Sequence, residues 1–177
     1  VRIVILSDRI PPENVGGAGK VAWMLALGLR DAGHDVHVIA ATESQPFQEQ
    51  RAGIPTYHVH ARYPLRFQAW LSLYNPQTIP ALHRLLEQIH PDVVNAHNIH
   101  RDLSYASLTL AHDLKIPAVF TAHDVMPFAY GKLRHFVNPA RCGVESPAQY
   151  RLPRLFNLRQ MRLRYNPLRN VTIRRIL

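Results

Sequence analysis

The sequence predicts an α/β domain: a doubly wound, mainly parallel sheet with helices on both faces. Three observations carry this. The chain opens on Val1-Arg-Ile-Val-Ile-Leu6, a short β-branched apolar run of the kind found in strands buried on both faces. A glycine-led helical pattern follows, and Asp35-Val-His-Val-Ile-Ala40 then completes a strand–helix–strand unit. Apolar runs continue to alternate with helical patterns as far as Ala122, as in sheets wound on both sides.

After the first strand, Ser7 to Val15 contains Pro11-Pro12 and cannot be regular structure. Ala18, Val21, Ala22, Leu25, Leu29 and Ala32 recur at helical spacing, so a helix runs from Gly17 to about Ala32. Gly33 occupies the position that a left-handed C-terminal cap favours. Ile54–Val59 reads as a third strand, placed at an edge because Pro55 would cost a central strand a ladder hydrogen bond. Residues 62–75 hold aromatics and one short helix. Ile79, Leu82, Leu85, Leu86 and Ile89 mark a firmer helix that stops before Pro91. Asp92–Ala96 is the next strand, Leu103–Leu114 a helix, and Pro117–Ala122 another strand. Residues 123–150 read as a long loop punctuated by Pro127, Gly131, Pro139, Gly143 and Pro147, a length more often functional than incidental. The last stretch is helical in composition and interrupted at Asn166-Pro167.

With 177 residues the chain fits one domain with a sizeable core, residues 1–150, followed by an Arg-rich helical tail, residues 151–177. Cys142 is the only cysteine, which excludes an internal disulfide and suits a reducing compartment. No apolar stretch approaches the ~20 residues of a membrane span, and no signal-peptide pattern opens the chain. The expected location is cytoplasmic. The net charge of +9 is uneven: residues 1–150 carry 13 Lys/Arg against all 12 Asp/Glu, whereas residues 151–177 carry 8 Arg and no acid. The tail therefore reads either as a solvated or interdomain surface or as an attachment to anionic lipid or phosphorylated substrate. Nucleic acid is disfavoured, because no regularly interleaved aromatics or recognised binding module accompany the arginines.

Gly16-Gly17-Ala18-Gly19 opens the first helix where backbone N–H groups and the helix dipole can hold a phosphate. Two familiar motifs are close to it. A P-loop would need glycine at position 14 and a hydroxyl after Lys20, but the chain has Asn14 and Val21. Gly17-Ala-Gly-Lys-Val-Ala22 does fit a dinucleotide fingerprint, with Glu43 placed as the ribose-binding acid, yet the nine residues Ser7–Val15, two of them proline, stand between the strand and the glycines. Glycines that merely allow close helix–sheet packing are the plain alternative. Among the histidines, His97 and His123 each follow a parallel strand at the edge where α/β sheets collect ligands. His97 and Asn98 are accordingly candidate cleft-lining residues. His97 and His100 lack further ligands at metal spacing, so no metal is expected.

The ordered set of Pro11-Pro12, Gly16-Gly17, the helix ending Ala32-Gly33-His34, Asp92-Val-Val-Asn-Ala-His97, Thr121-Ala-His123-Asp124 and Tyr165-Asn-Pro-Leu-Arg169 resembles the amino-terminal half of a family 4 glycosyltransferase of the GT-B type. The resemblance covers essentially the whole chain. It implies that Gly16 and Gly17 lie against the donor diphosphate. It further implies that His123 acts at the transferred sugar and that Asp124 is its neighbour and orienter. Val125-Met-Pro127 departs from the aromatic residues common in relatives and leaves the acceptor type open. The resemblance also implies a second domain beyond this chain that binds most of the nucleotide, so that this half alone is inactive.

The expected function is transfer of a sugar from a nucleotide-sugar donor to an acceptor hydroxyl, with retention and without a metal or cofactor. The acceptor is expected to be a carbohydrate or a lipid. Peripheral attachment to an anionic membrane through residues 151–177 is a further expectation. The alternatives are a non-catalytic anion- or nucleic-acid-binding α/β module and an NAD(P)-dependent oxidoreductase.

Overall fold

The computed structural model describes residues 1–13, 16–124, 126–127 and 168–177. Most of the 123–150 loop, Asn166-Pro167 and five of the tail arginines lie outside the described residues. In chain order the elements are β1 (Arg2–Ser7), α1 (Gly17–Asp31), β2 (Asp35–Thr42), β3 (Phe47–Arg51) and β4 (Ile54–His60). A 3-10 turn (Leu65–Phe67), α2 (Gln68–Leu71), α3 (Ile79–Ile89), β5 (Val93–His97), α4 (Ala106–Asp113), β6 (Ala118–Thr121) and α5 (Arg169–Ile176) follow.

The strands form one sheet in the order β3-β4-β2-β1-β5-β6. All neighbours are parallel except β3 and β4. The opening run is central because both of its faces are covered. Ile3 and Ile5 pack with Ala22, Trp23 and Ala26 of α1, while Val4 and Leu6 pack with Leu82 and Leu86 of α3 and Leu108 of α4. Alternation along β1 thus builds two cores on opposite faces of the sheet, which is the doubly wound arrangement. Gly33 closes α1 at φ 84°, and His90 closes α3 in the left-handed region at φ 50° just before Pro91.

Three local expectations change. Ile54–Val59 is not at the edge: β4 is parallel to β2 on one side and antiparallel to β3 on the other. Its ladder with β2 begins at Thr56, so the missing N–H of Pro55 interrupts nothing there. β3 takes the edge instead, joined to β4 through Ala52 and Gly53 at φ 49° and 75°, the signs of a tight two-residue hairpin turn. Helix α4 begins at Ala106 rather than Leu103, because residues 101–103 are held by Asp8 and Ser104 sits at φ 67°.

The last described residues belong to the same packing. Ile173 is fully buried in the core beneath α3 and α4, with Ile176 against it. Arg169 is also buried; its Nε donates to Ser72 Oγ at 3.1 Å and its Nη1 to the Met126 carbonyl at 2.6 Å. Its guanidinium lies 5.7 Å from the centroid of the Tyr105 ring.

Candidate functional site

From β1 the chain winds outward to β2, β4 and β3, and α3 then returns it to β5 on the opposite flank of β1. The carboxyl ends of β1 and β5 therefore form the topological switch point, where ligands of open α/β sheets bind. Register brings Ser7 opposite His97, and His97 opposite Thr121. The Asp8 N–H donates to the Asn98 carbonyl at 3.3 Å, and Asn98 turns the chain at φ 44°. Asn98 thus shapes the floor of the crevice through its backbone.

Asp8 is the buried anchor of this edge. Its Oδ2 accepts the N–H of Arg101, and its Oδ1 accepts those of Asp102 and Leu103, each at 2.8 Å. Burial, helped by nearby Asp102, pushes its carboxyl up to about 7 against those three donors. Asp102 is itself raised by burial and pairs with Arg9 Nε at 3.0 Å. Arg9 also reaches Glu13 at 3.2 Å and Glu43 at 3.3 Å. Glu43, the residue a dinucleotide site would use for ribose, is thus engaged by an arginine. Ser7-Asp8 is legible in the sequence as a strand end at the ligand edge, whereas Arg9 and Asp102 escape sequence reasoning; the one available signal is a polar Ser-Asp-Arg directly after the apolar run Ile3–Leu6.

His97 and His123 come together. His97, at the end of β5, is 1% exposed, and its Nδ1 lies 2.8 Å from Nε2 of partly exposed His123. The rings are tilted by 30° with centroids 5.1 Å apart. Burial, and secondarily His123, hold the His97 imidazole down to about 4, so it is neutral at physiological pH. Asp124 does not orient His123 by a hydrogen bond. Its Oδ1 accepts the Met126 N–H at 2.9 Å and its Oδ2 lies 3.7 Å from His100 Nε2. The side chain within hydrogen-bond distance of the His123 ring is that of His97.

Gly16 is the extended N-cap of α1 and Gly17 its first helical residue; both are exposed. A Cβ on Gly17 would meet nothing within 4 Å, so packing inside the chain does not require glycine there. The first turn of α1 holds no acidic residue. Beside this edge, a cleft of about 510 Å³ is lined by Glu43, Tyr63, Arg62, Leu65, Arg101 and Asp102, residues that follow β2, β4 and β5. The Tyr63 hydroxyl donates to the Arg101 carbonyl and ties two of those loops together. Among the described residues no group of three or more His, Cys, Asp or Glu could hold a metal ion. No helix among them is long and apolar enough to cross a membrane.

Residues 15–175 match the profile of Glycosyltransferase Family 4. The chain belongs to that family. No curated protein sequence matches this family 4 chain. Among solved structures it is similar to the E. coli trehalose-6-phosphate structure bound with UDP-2-fluoro glucose, at 17% identity and a TM-score of 0.42, over 70% of this chain and 33% of that one. It is also similar to SsfS6, a glycosyltransferase of Streptomyces sp. SF2575, at 21% identity and a TM-score of 0.40, over 68% of this chain and 39% of that one. The family 4 chain thus spans well under half the length of either protein.

Proposed function

We propose that this chain is the acceptor-side half of a GT-B glycosyltransferase that moves a sugar from a nucleotide-sugar donor to an acceptor hydroxyl, with retention. One observation carries the reading: in a family 4 chain, His123 stands at the carboxyl edge of the sheet, beside the switch point, held there by a buried histidine. In this reading the donor diphosphate lies against the N-terminus of α1 at Gly16 and Gly17, where the helix dipole favours an anion. His123 contacts the transferred sugar, Asp124 shapes the turn that follows it, and His97 and Asn98 form the inner wall of the cleft. The acceptor oxygen bonds to the anomeric carbon as the bond to the donor phosphate breaks, and the acceptor proton leaves with the nucleotide diphosphate. The nucleotide sugar is a substrate, and neither a metal nor a cofactor is part of the reading.

The test is a panel of nucleotide sugars offered to the full-length protein with mixed carbohydrate and lipid acceptors, following nucleotide release. Release with a particular donor is expected. The 177-residue chain alone should release none, since transfer needs groups from both walls of a cleft in one geometry. Absence of release from every donor, with tight binding of NAD(P) instead, would favour the oxidoreductase reading.

A further inference from the structure

We propose that His97 is a positioning residue that fixes the tautomer of His123, committing Nε2 of His123 as an acceptor and leaving Nδ1–H as the donor that meets the ligand. The proposal rests on the reading in which His123 faces the sugar, and it assigns a hydrogen-bonding role to each ring nitrogen at that site.

The buried end of the pair decides where the protons sit. Nδ1 of His97 faces Nε2 of His123 at 2.8 Å, while Nε2 of His97 is buried with no hydrogen-bond partner. A neutral imidazole carries one proton, so two arrangements compete. With the proton on Nε2 of His97, an N–H donor would be buried with no acceptor, which native structures rarely tolerate. With the proton on Nδ1, that N–H is satisfied by His123 and only a ring lone pair is left unmatched. The second arrangement therefore prevails. A cationic His97 would carry the first arrangement's orphaned donor as well, in a buried position beside another imidazole; burial already holds this ring neutral.

The consequence passes to His123. If its Nε2 accepts from His97, that nitrogen has no proton, and the neutral ring must carry its proton on Nδ1. This is the less common form of a free imidazole, selected here by a neighbour at the end of an adjacent parallel strand. His123 then offers the cleft a single donor aimed at an oxygen acceptor, as a sugar hydroxyl or ring oxygen supplies. Its Nε2 is not available as a general base while the pair is intact.

Nitrogen-15 histidine labelling and two-bond correlation spectra of the protein at neutral pH test the assignment. His97 and His123 should both show the Nδ1–H pattern. His97→Leu removes the donor, and His123 should revert to the Nε2–H form. His97→Asn places an amide N–H close to where Nδ1 stood and should retain the Nδ1–H form. In the full-length enzyme, turnover should fall about tenfold in His97→Leu and be largely rescued in His97→Asn. An Nε2–H signal for His123 in the wild type, or an unchanged Nδ1–H signal in His97→Leu, would overturn the proposal. If His97→Leu does not fold, the wild-type and His97→Asn spectra still decide. The spectra require no substrate, so loss of the glycosyltransferase reading would leave them standing, and a wrong tautomer would leave nucleotide-sugar turnover untouched.

Discussion

Both oxygens of the Asp8 carboxylate are taken by N–H groups of residues 101–103, which ties the end of β1 to the loop that follows β5. Its carboxyl, pushed up to about 7, stands above the ordinary carboxylate value of ~3.9. Across that window the folded state holds a proton that the unfolded chain has released. The associated stability is complete below about pH 4 and is lost as pH rises through about 7. His97 acts in the opposite sense: its imidazole is held down to about 4, so stability is lost as pH falls from the ordinary ~6.5 through 4. The difference between wild type and Asp8→Asn isolates the first effect, which belongs to the coupled Asp8 and Asp102 pair. Urea unfolding should show the wild type losing stability relative to Asp8→Asn between about pH 4.5 and about pH 7.5; a constant difference would contradict this. At this scale the sequence shows which residues follow strands, and so singles out His97 and His123. It does not show which of them pair, and neighbourhood in sequence points to Asp124 where space supplies His97.

Long, periodic elements are legible and short polar ones are not. α1 and α3 follow from apolar spacing with glycine or proline at their ends, and β1 follows from the apolar run Ile3–Leu6 at its centre. β3 has the polar sequence Phe47-Gln-Glu-Gln-Arg51 and is mostly exposed at the edge, so no hydrophobic period announces it. Its one signal is Ala52-Gly53, and Pro55 directs attention to the wrong edge strand. α5 carries no strong apolar stripe either; it docks through Ile173 and through Arg169, whose guanidinium satisfies Ser72 and the Met126 carbonyl. Replacing Arg169 by Met keeps the aliphatic bulk but leaves those acceptors unmatched. The expected cost is ~1.5–3 kcal/mol, the range for hydrogen bonds to charged groups, read from urea unfolding at constant slope. A loss of only a few tenths of a kcal/mol (about the effect of a surface substitution) would show that α5 docks through Ile173 alone.

At the scale of the whole molecule, the fold class and the ligand edge follow from the order of strands and helices, and the switch point then places Asp8 and His97 side by side. The +8 charge of residues 151–177 is legible in composition, but its use is not. Arg169 is consumed by packing, whereas Arg174 and Arg175 are exposed. The remaining arginines lie outside the described residues. Attachment to an anionic surface predicts that the chain sediments with phosphatidylglycerol vesicles at low salt, each basic residue near the surface adding ~1 kcal/mol. Salt at 1 M should release it, since the screening length falls to ~3 Å. A chain that stays in solution at low salt would assign the arginines to protein contacts instead. The central claim is that His123 acts on the transferred sugar. The most direct test is nucleotide release by full-length wild type and His123→Ala under identical donor and acceptor conditions, at a temperature below both unfolding midpoints. Turnover is predicted to fall at least about tenfold, equal to ~1.4 kcal/mol of transition-state stabilisation. Equal turnover by the two folded proteins would contradict the account.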